Sequence, residues 1–130
     1  MKKFTIAFIT DDIVFSNLIV IPLKRELPDL RIILCKSLAE INEQINSQLC
    51  DLILLDGGFG SVSSIEIIEY LRKEKRITSP IWFFPEILTN EYSHKSILMG
   101  ANKLFYKPFD PSFIVNELTN TAKNKPLNVN

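Results

Sequence analysis

Two rhythms of apolar and polar residues alternate along the chain. Short, almost wholly apolar runs are separated by stretches in which apolar residues recur every three or four positions. The short runs are Phe4 to Ile9 (broken by Thr5), Leu30 to Cys35, Asp51-Leu52-Ile53-Leu54-Leu55-Asp56, Ile81-Trp82-Phe83-Phe84 between Pro80 and Pro85, and Leu104-Phe105-Tyr106. Runs of this length between turn signals read as strands buried on both faces, as in a parallel sheet covered by helices. Arg31 marks the second run as an edge strand, whereas Trp82 and its phenylalanine neighbours read as core.

The intervening stretches predict helices. Val14, Leu18, Ile21 and Leu27 suggest one over about Ile13 to Leu27, although Pro22 lies inside it. An interior proline costs roughly 3 kcal/mol, so either a bend near Ile21 or a later helix start is expected. Ser37 and Glu40 have capping-box spacing ahead of Leu38, Ile41, Ile45 and Leu49, the clearest helical signal in the chain. Ile65, Ile68 and Leu71 carry a third helix, with the cluster Arg72 to Arg76 read as its solvated basic end. Thr89 caps a fourth, more polar helix that Gly100 stops, and His94 on it reads as a surface residue. Asp110-Pro111 opens the fifth, with Ile114, Leu118 and Ala122 on its buried side. Five strands alternating with five helices predict an α/β fold: a flavodoxin-like, doubly wound five-stranded parallel sheet in the order 2-1-3-4-5, with helices on both faces.

Composition narrows the function. Lysine plus arginine (15) equals aspartate plus glutamate (15), so no net charge draws in nucleic acid or an anionic membrane. A hydrophobic content of 46% suffices for one core, and residues 1–124 are expected to form one domain followed by a tail or the start of a linker at 125–130. Cys35 and Cys50 lack metal-ligand spacing, Cys35 reading as a small buried hydrophobe. The apolar run after Met1-Lys2-Lys3 is too short for a signal peptide or a membrane span. Reduced thiols in a cytoplasm are expected.

The candidate chemistry lies where the apolar runs end. The third run stops at Asp56-Gly57-Gly58, the first at Thr10-Asp11-Asp12 and the fifth at Lys107-Pro108. Asp-Gly also begins ordinary turns, so Asp56 alone has a bland explanation. In a parallel sheet, however, all carboxyl ends share one edge, the edge at which ligands bind, so Asp11, Asp12, Asp56 and Lys107 converge there. Clustered carboxylates repel one another unless a cation lies among them. Magnesium, with its preference for oxygen and its retained waters, suits one or two carboxylates plus a backbone carbonyl, for which Gly58 is placed. Lys107 offers a compact positive charge to a carboxylate or phosphoryl oxygen.

From about Lys3 to Lys123 the chain resembles the receiver domains of two-component response regulators, such as the single-domain chemotaxis regulators. The resemblance rests on Asp11-Asp12, Asp56, Gly100-Ala101 and Lys107-Pro108-Phe109 taken together with their spacing. It implies that a sensor histidine kinase or phosphotransfer protein phosphorylates Asp56. Asp11, Asp12, Asp56 and the Gly58 carbonyl would then serve magnesium, and Lys107 would contact the phosphate. It further implies a signalling domain rather than an enzyme, one that assists only its own phosphotransfer and dephosphorylation. Such a domain is a monomer or weak homodimer and switches a surface for a downstream protein.

Three positions depart from the family pattern. Receivers usually end strand four with a Thr or Ser hydroxyl, where this chain has Pro85, which offers neither hydroxyl nor N–H. Receivers often carry Tyr or Phe three residues before the lysine, where this chain has Leu104, and the loop Gly57 to Gly60 lacks the usual Met-Pro. The runner-up reading is therefore a degenerate, unphosphorylated receiver used as an interaction module. A haloacid-dehalogenase-type phosphatase would need a second Asp at Gly58, and Gly57-Gly58-Phe59-Gly60 is neither a dinucleotide fingerprint nor a P-loop.

Overall fold

A computed structural model describes residues 3–46, 50–60 and 63–124. Five strands, β1 (Thr5–Ile9), β2 (Arg31–Cys35), β3 (Leu52–Asp56), β4 (Ile81–Phe84) and β5 (Lys103–Leu104), form one sheet in the order β2-β1-β3-β4-β5. Every pairing is parallel. The expected sheet and strand order are therefore those of the structure, and β2 with Arg31 lies at an edge. The proposed tail, 125–130, lies outside the described residues.

Because successive strand residues point to opposite faces, the sheet separates two cores. Ile6, Phe8, Leu52, Leu54, Trp82 and Phe84 face one core, completed by α1 (Ile13–Glu26) and α5 (Pro111–Asn124). Ala7, Ile9, Ile53, Leu55, Ile81 and Phe83 face the other, covered by α2 (Leu38–Gln44), α3 (Ser64–Glu69) and, through Tyr92 and Met99, α4 (Asn90–Met99). Cys35 and Cys50 are free thiols in this second core, and burial, with help from Glu40, pushes the Cys35 thiol up to about 12.

The helices depart from expectation in instructive ways. In α1 the buried apolar residues are Phe15, Ile19 and Leu23, whereas Val14, Leu18 and Ile21 are exposed. The segment is apolar nearly all round, so periodicity alone could not choose the inward face. The helix runs from Ile13 through Pro22. Three buried side chains at i, i+4 and i+8 contribute about 5–9 kcal/mol together, more than the roughly 3 kcal/mol that the proline costs. Ser37 caps α2 through the Glu40 N–H as the capping box requires, but the helix stops at Gln44. Ile45 reaches the core from extended backbone, and Leu49 lies outside the described residues. Helix α3 continues into a wide turn, Tyr70–Glu74, in which the Lys75 N–H donates to the Tyr70 carbonyl.

Arg72 is not part of a solvated basic end. Its guanidinium donates to the carbonyls of Ile77, Ser79 and Gly100 and to Asn102 Oδ1, at 2.8–3.2 Å. Strand β5 begins one residue early, at Lys103, and is short, although the Phe105 N–H still donates to the Phe83 carbonyl. Phe105 is consequently buried against Trp82 and Phe84, while Tyr106 is exposed with its hydroxyl 2.8 Å from Ser93 Oγ.

Candidate functional site

The carboxyl edge of the sheet collects Asp56 from β3, Thr10, Asp11 and Asp12 from the turn after β1, Glu86 from the turn after β4, and Lys107 from the turn after β5. Asp56 is the last residue of its strand and only 3% exposed. A buried carboxylate requires partners, and each oxygen has its own. Oδ2 accepts from the Thr10 hydroxyl at 2.7 Å. Oδ1 accepts from the Gly58 N–H at 3.0 Å and faces Lys107 Nζ at 3.6 Å. The Lys107 ammonium also lies 5.6 Å from the Phe15 ring centroid, and the Lys107–Pro108 peptide bond is cis.

The two glycines after Asp56 are set by the neighbouring turn. The Gly57 N–H donates to the Phe84 carbonyl at 2.9 Å, and a β-carbon on Gly57 would collide with that carbonyl and with the backbone of Pro85 and Glu86. A β-carbon on Gly58 would run into the Glu86 carboxylate. Pro85 is buried beneath this turn, and Glu86 emerges from it over Gly58, with Oε1 3.9 Å from Lys107 Nζ.

The acidic pair is arranged less simply than the sequence suggests. Asp12 is the N-cap of α1, its Oδ1 accepting from the N–H groups of Val14 and Phe15, and its own N–H donates to Thr10 Oγ1. Asp11 Oδ2 accepts from the Gly60 N–H at 3.3 Å. Both are exposed, and among the described residues no three carboxylate, histidine or cysteine groups converge closely enough to enclose a metal ion. Capping directs Asp12 along the helix axis, and the open glycine loop takes Asp11. What is available is a set of hard oxygen donors around one buried carboxylate. That set fits magnesium, which retains waters and needs only one or two protein carboxylates, better than an ion enclosed by three acids.

Two site residues escaped the sequence reading. Thr10 is the one polar residue between the apolar run of β1 and the acidic pair, and its hydroxyl turns to Asp56 across the strand ends. Glu86 follows Pro85 directly, and nothing local in the sequence points it at Lys107 rather than at solvent. Leu104, where receiver domains often carry an aromatic residue, is half-buried against the second core.

Comparison with known proteins places this edge in context. No family model and no curated protein matches the chain. Solved structures do. The signal receiver domain of a DNA-binding response regulator from Colwellia psychrerythraea superposes with a TM-score of 0.80 at 16% identity, over 93% of this chain and 99% of that one. A response regulator receiver domain from Rhodospirillum rubrum gives 0.72 at 20% identity, covering 91% and 90%. The beryllium-fluoride-activated receiver domain of DrrB, a Thermotoga maritima protein, gives 0.71 at 16%, covering 93% and 98%. The chain thus has the fold of response regulator receiver domains, and the resemblance read from its motifs holds at the level of architecture. Among the described residues no helix is long and apolar enough to cross a membrane.

Proposed function

We propose that the chain is a phospho-accepting receiver in two-component signalling and that Asp56 is the acceptor. The observation that carries this is a buried carboxylate at the end of the central strand with Lys107 Nζ 3.6 Å from one oxygen, on a receiver fold. Carboxylate attack on a phosphoryl group needs neutralised charge and fixed position more than proton transfer. Oδ1 faces the ammonium and the Gly58 N–H, so it forms the new bond to phosphorus as the bond to the donor's leaving atom breaks. Oδ2 stays on the Thr10 hydroxyl and becomes the carbonyl oxygen of the acyl phosphate. Lys107 then transfers its contact to a phosphoryl oxygen.

Magnesium would be held by Asp56 and Asp12, with Asp11 and the Gly58 carbonyl assisting, and would supply further neutralisation of the phosphoryl oxygens. The donor would be a sensor histidine kinase or a phosphotransfer protein, in the cytoplasm, and the product would act on a downstream protein rather than in a metabolic reaction. Intact-mass analysis after incubation with acetyl phosphate and magnesium tests the assignment. One phosphoryl mass is expected on the wild type and none on Asp56→Asn. Equal labelling of the two, or labelling of neither, overturns it.

A further inference from the structure

Lys107 faces two carboxylates. Besides Asp56 Oδ1 at 3.6 Å, Glu86 Oε1 lies 3.9 Å from the ammonium, and the Glu86 head group rests so closely over Gly58 that a methyl there would strike it. The backbone makes this placement robust. Gly57 is packed against the Phe84 carbonyl and the Pro85–Glu86 peptide, which fixes where the Glu86 side chain starts. The side chain itself is 55% exposed and can swing. Resting on the proposed phospho-acceptance at Asp56, we propose that Glu86 is a tethered anion that competes with incoming phosphoryl groups for Lys107, and thereby sets which phosphodonors reach Asp56.

The physical argument concerns a single cation. Among the described side chains, Lys107 is the one ammonium or guanidinium group in contact with Asp56, so an incoming phosphoryl oxygen must share that cation with the carboxylates already facing it. Asp56, the nucleophile, hands its contact on to the phosphoryl oxygen; Glu86 stays beside the ammonium as a competing charge until its exposed side chain swings away. A small, doubly charged donor that approaches Lys107 meets the Glu86 charge beside it and has nothing with which to draw that carboxylate away. A protein donor can bring its own cation or hydrogen-bond donor to Glu86 and open the site as it docks. Glu86 is therefore a specificity-determining residue, suppressing small anionic donors relative to a docked one.

The test follows labelling of the full chain by doubly charged acetyl phosphate and by singly charged phosphoramidate, across ionic strength, in the wild type, Glu86→Gln and Glu86→Asp. Like charges at this range predict that Glu86→Gln raises kcat/KM for acetyl phosphate about three- to tenfold at low salt, with the gain shrinking as salt is added. The gain for phosphoramidate is smaller, and Glu86→Asp remains close to the wild type. A loop merely loosened by mutation would respond equally to both donors and ignore salt. Equal rates for wild type and Glu86→Gln with both donors, or a salt-independent gain, overturn the inference while leaving phospho-acceptance intact. If neither protein labels, beryllium trifluoride affinity, read by fluorine NMR with magnesium present, separates the two claims. Tighter binding by Glu86→Gln keeps Glu86 as the competing anion and removes only the acceptor assignment; equal or absent binding removes both.

Discussion

Replacing Thr10 with valine isolates the hydroxyl that holds the proposed acceptor. The side chains are nearly isosteric, so no cavity is created, and the substitution removes two hydrogen bonds. One is donated to Asp56 Oδ2 at 2.7 Å in a buried setting, and the other is accepted from the Asp12 N–H at 3.1 Å. The first is charge-assisted and contributes about 1.5–3 kcal/mol, because its loss leaves a buried carboxylate oxygen unpaired. The second is partly exposed and water can replace it, so it adds at most about 0.5 kcal/mol. A loss near 2–3 kcal/mol is expected, read as a lower urea midpoint with an unchanged m-value. A double-mutant cycle with Asp56→Ala assigns the effect to the pair, since Thr10→Val should cost little once the carboxylate is gone, a coupling of about 1.5 kcal/mol or more. Thr10→Ser should recover most of the stability. If Thr10→Val loses less than about 0.5 kcal/mol, or the coupling is zero within error, the hydroxyl does not hold Asp56 as described.

The remaining expectations concern the acidic pair, the arginine and the thiols. Asp12→Ala removes the α1 cap and should lower stability by about 1 kcal/mol, while Asp12→Asn keeps the cap yet weakens magnesium binding; denaturation and Trp82 fluorescence titration separate the two roles, and unchanged magnesium affinity in Asp12→Asn removes Asp12 from the metal site. Arg72→Lys retains the charge but not the planar fork that reaches four acceptors, so a loss of about 3 kcal/mol is expected, and a loss under about 1 kcal/mol would refute the clamp. Cys35 titrates at about 12 when folded against a usual 9.0, so the unfolded chain loses that proton first and stability falls as pH rises from 9.0 towards 12, with a limiting slope of about 1.4 kcal/mol per pH unit. Alkaline denaturation of Cys35→Ala should lack that component, and identical pH profiles for the two proteins would show that the thiol is not held neutral.

The sheet order and the edge carrying the candidate site were legible because alternation of strands and helices leaves few topologies, and the first, third and fifth runs each end in carboxylates or a lysine. The inward face of α1 was not, since Ile13 to Ile21 is apolar on nearly every side and only packing against α5 selects Phe15, Ile19 and Leu23. Arg72 was misread for a different reason. A basic residue in a helix's last turn carries no sign of whether it meets water or carbonyls, and here the wide turn that follows α3 brings it to Gly100, a residue far away in sequence. At the site, Asp56 and Lys107 follow from topology alone. The relay from Asp56 through Thr10 to Asp12, and the approach of Glu86 to Lys107, depend on turn geometry that single residue types do not encode.

At the opposite, amino-terminal edge of the sheet, side chains stitch neighbouring strands together. Asp51 accepts from the Thr5 N–H, the Ser79 hydroxyl donates to the Cys50 carbonyl, Asn102 accepts from the Ile81 N–H, and the Arg72 guanidinium draws the last two connections together. The sheet therefore behaves like a purse with one sewn seam and one open mouth. Rearrangement at the mouth need not travel down the strands, because the seam holds their register. A change in the seam is felt by every strand from β1 to β5 except the edge strand β2.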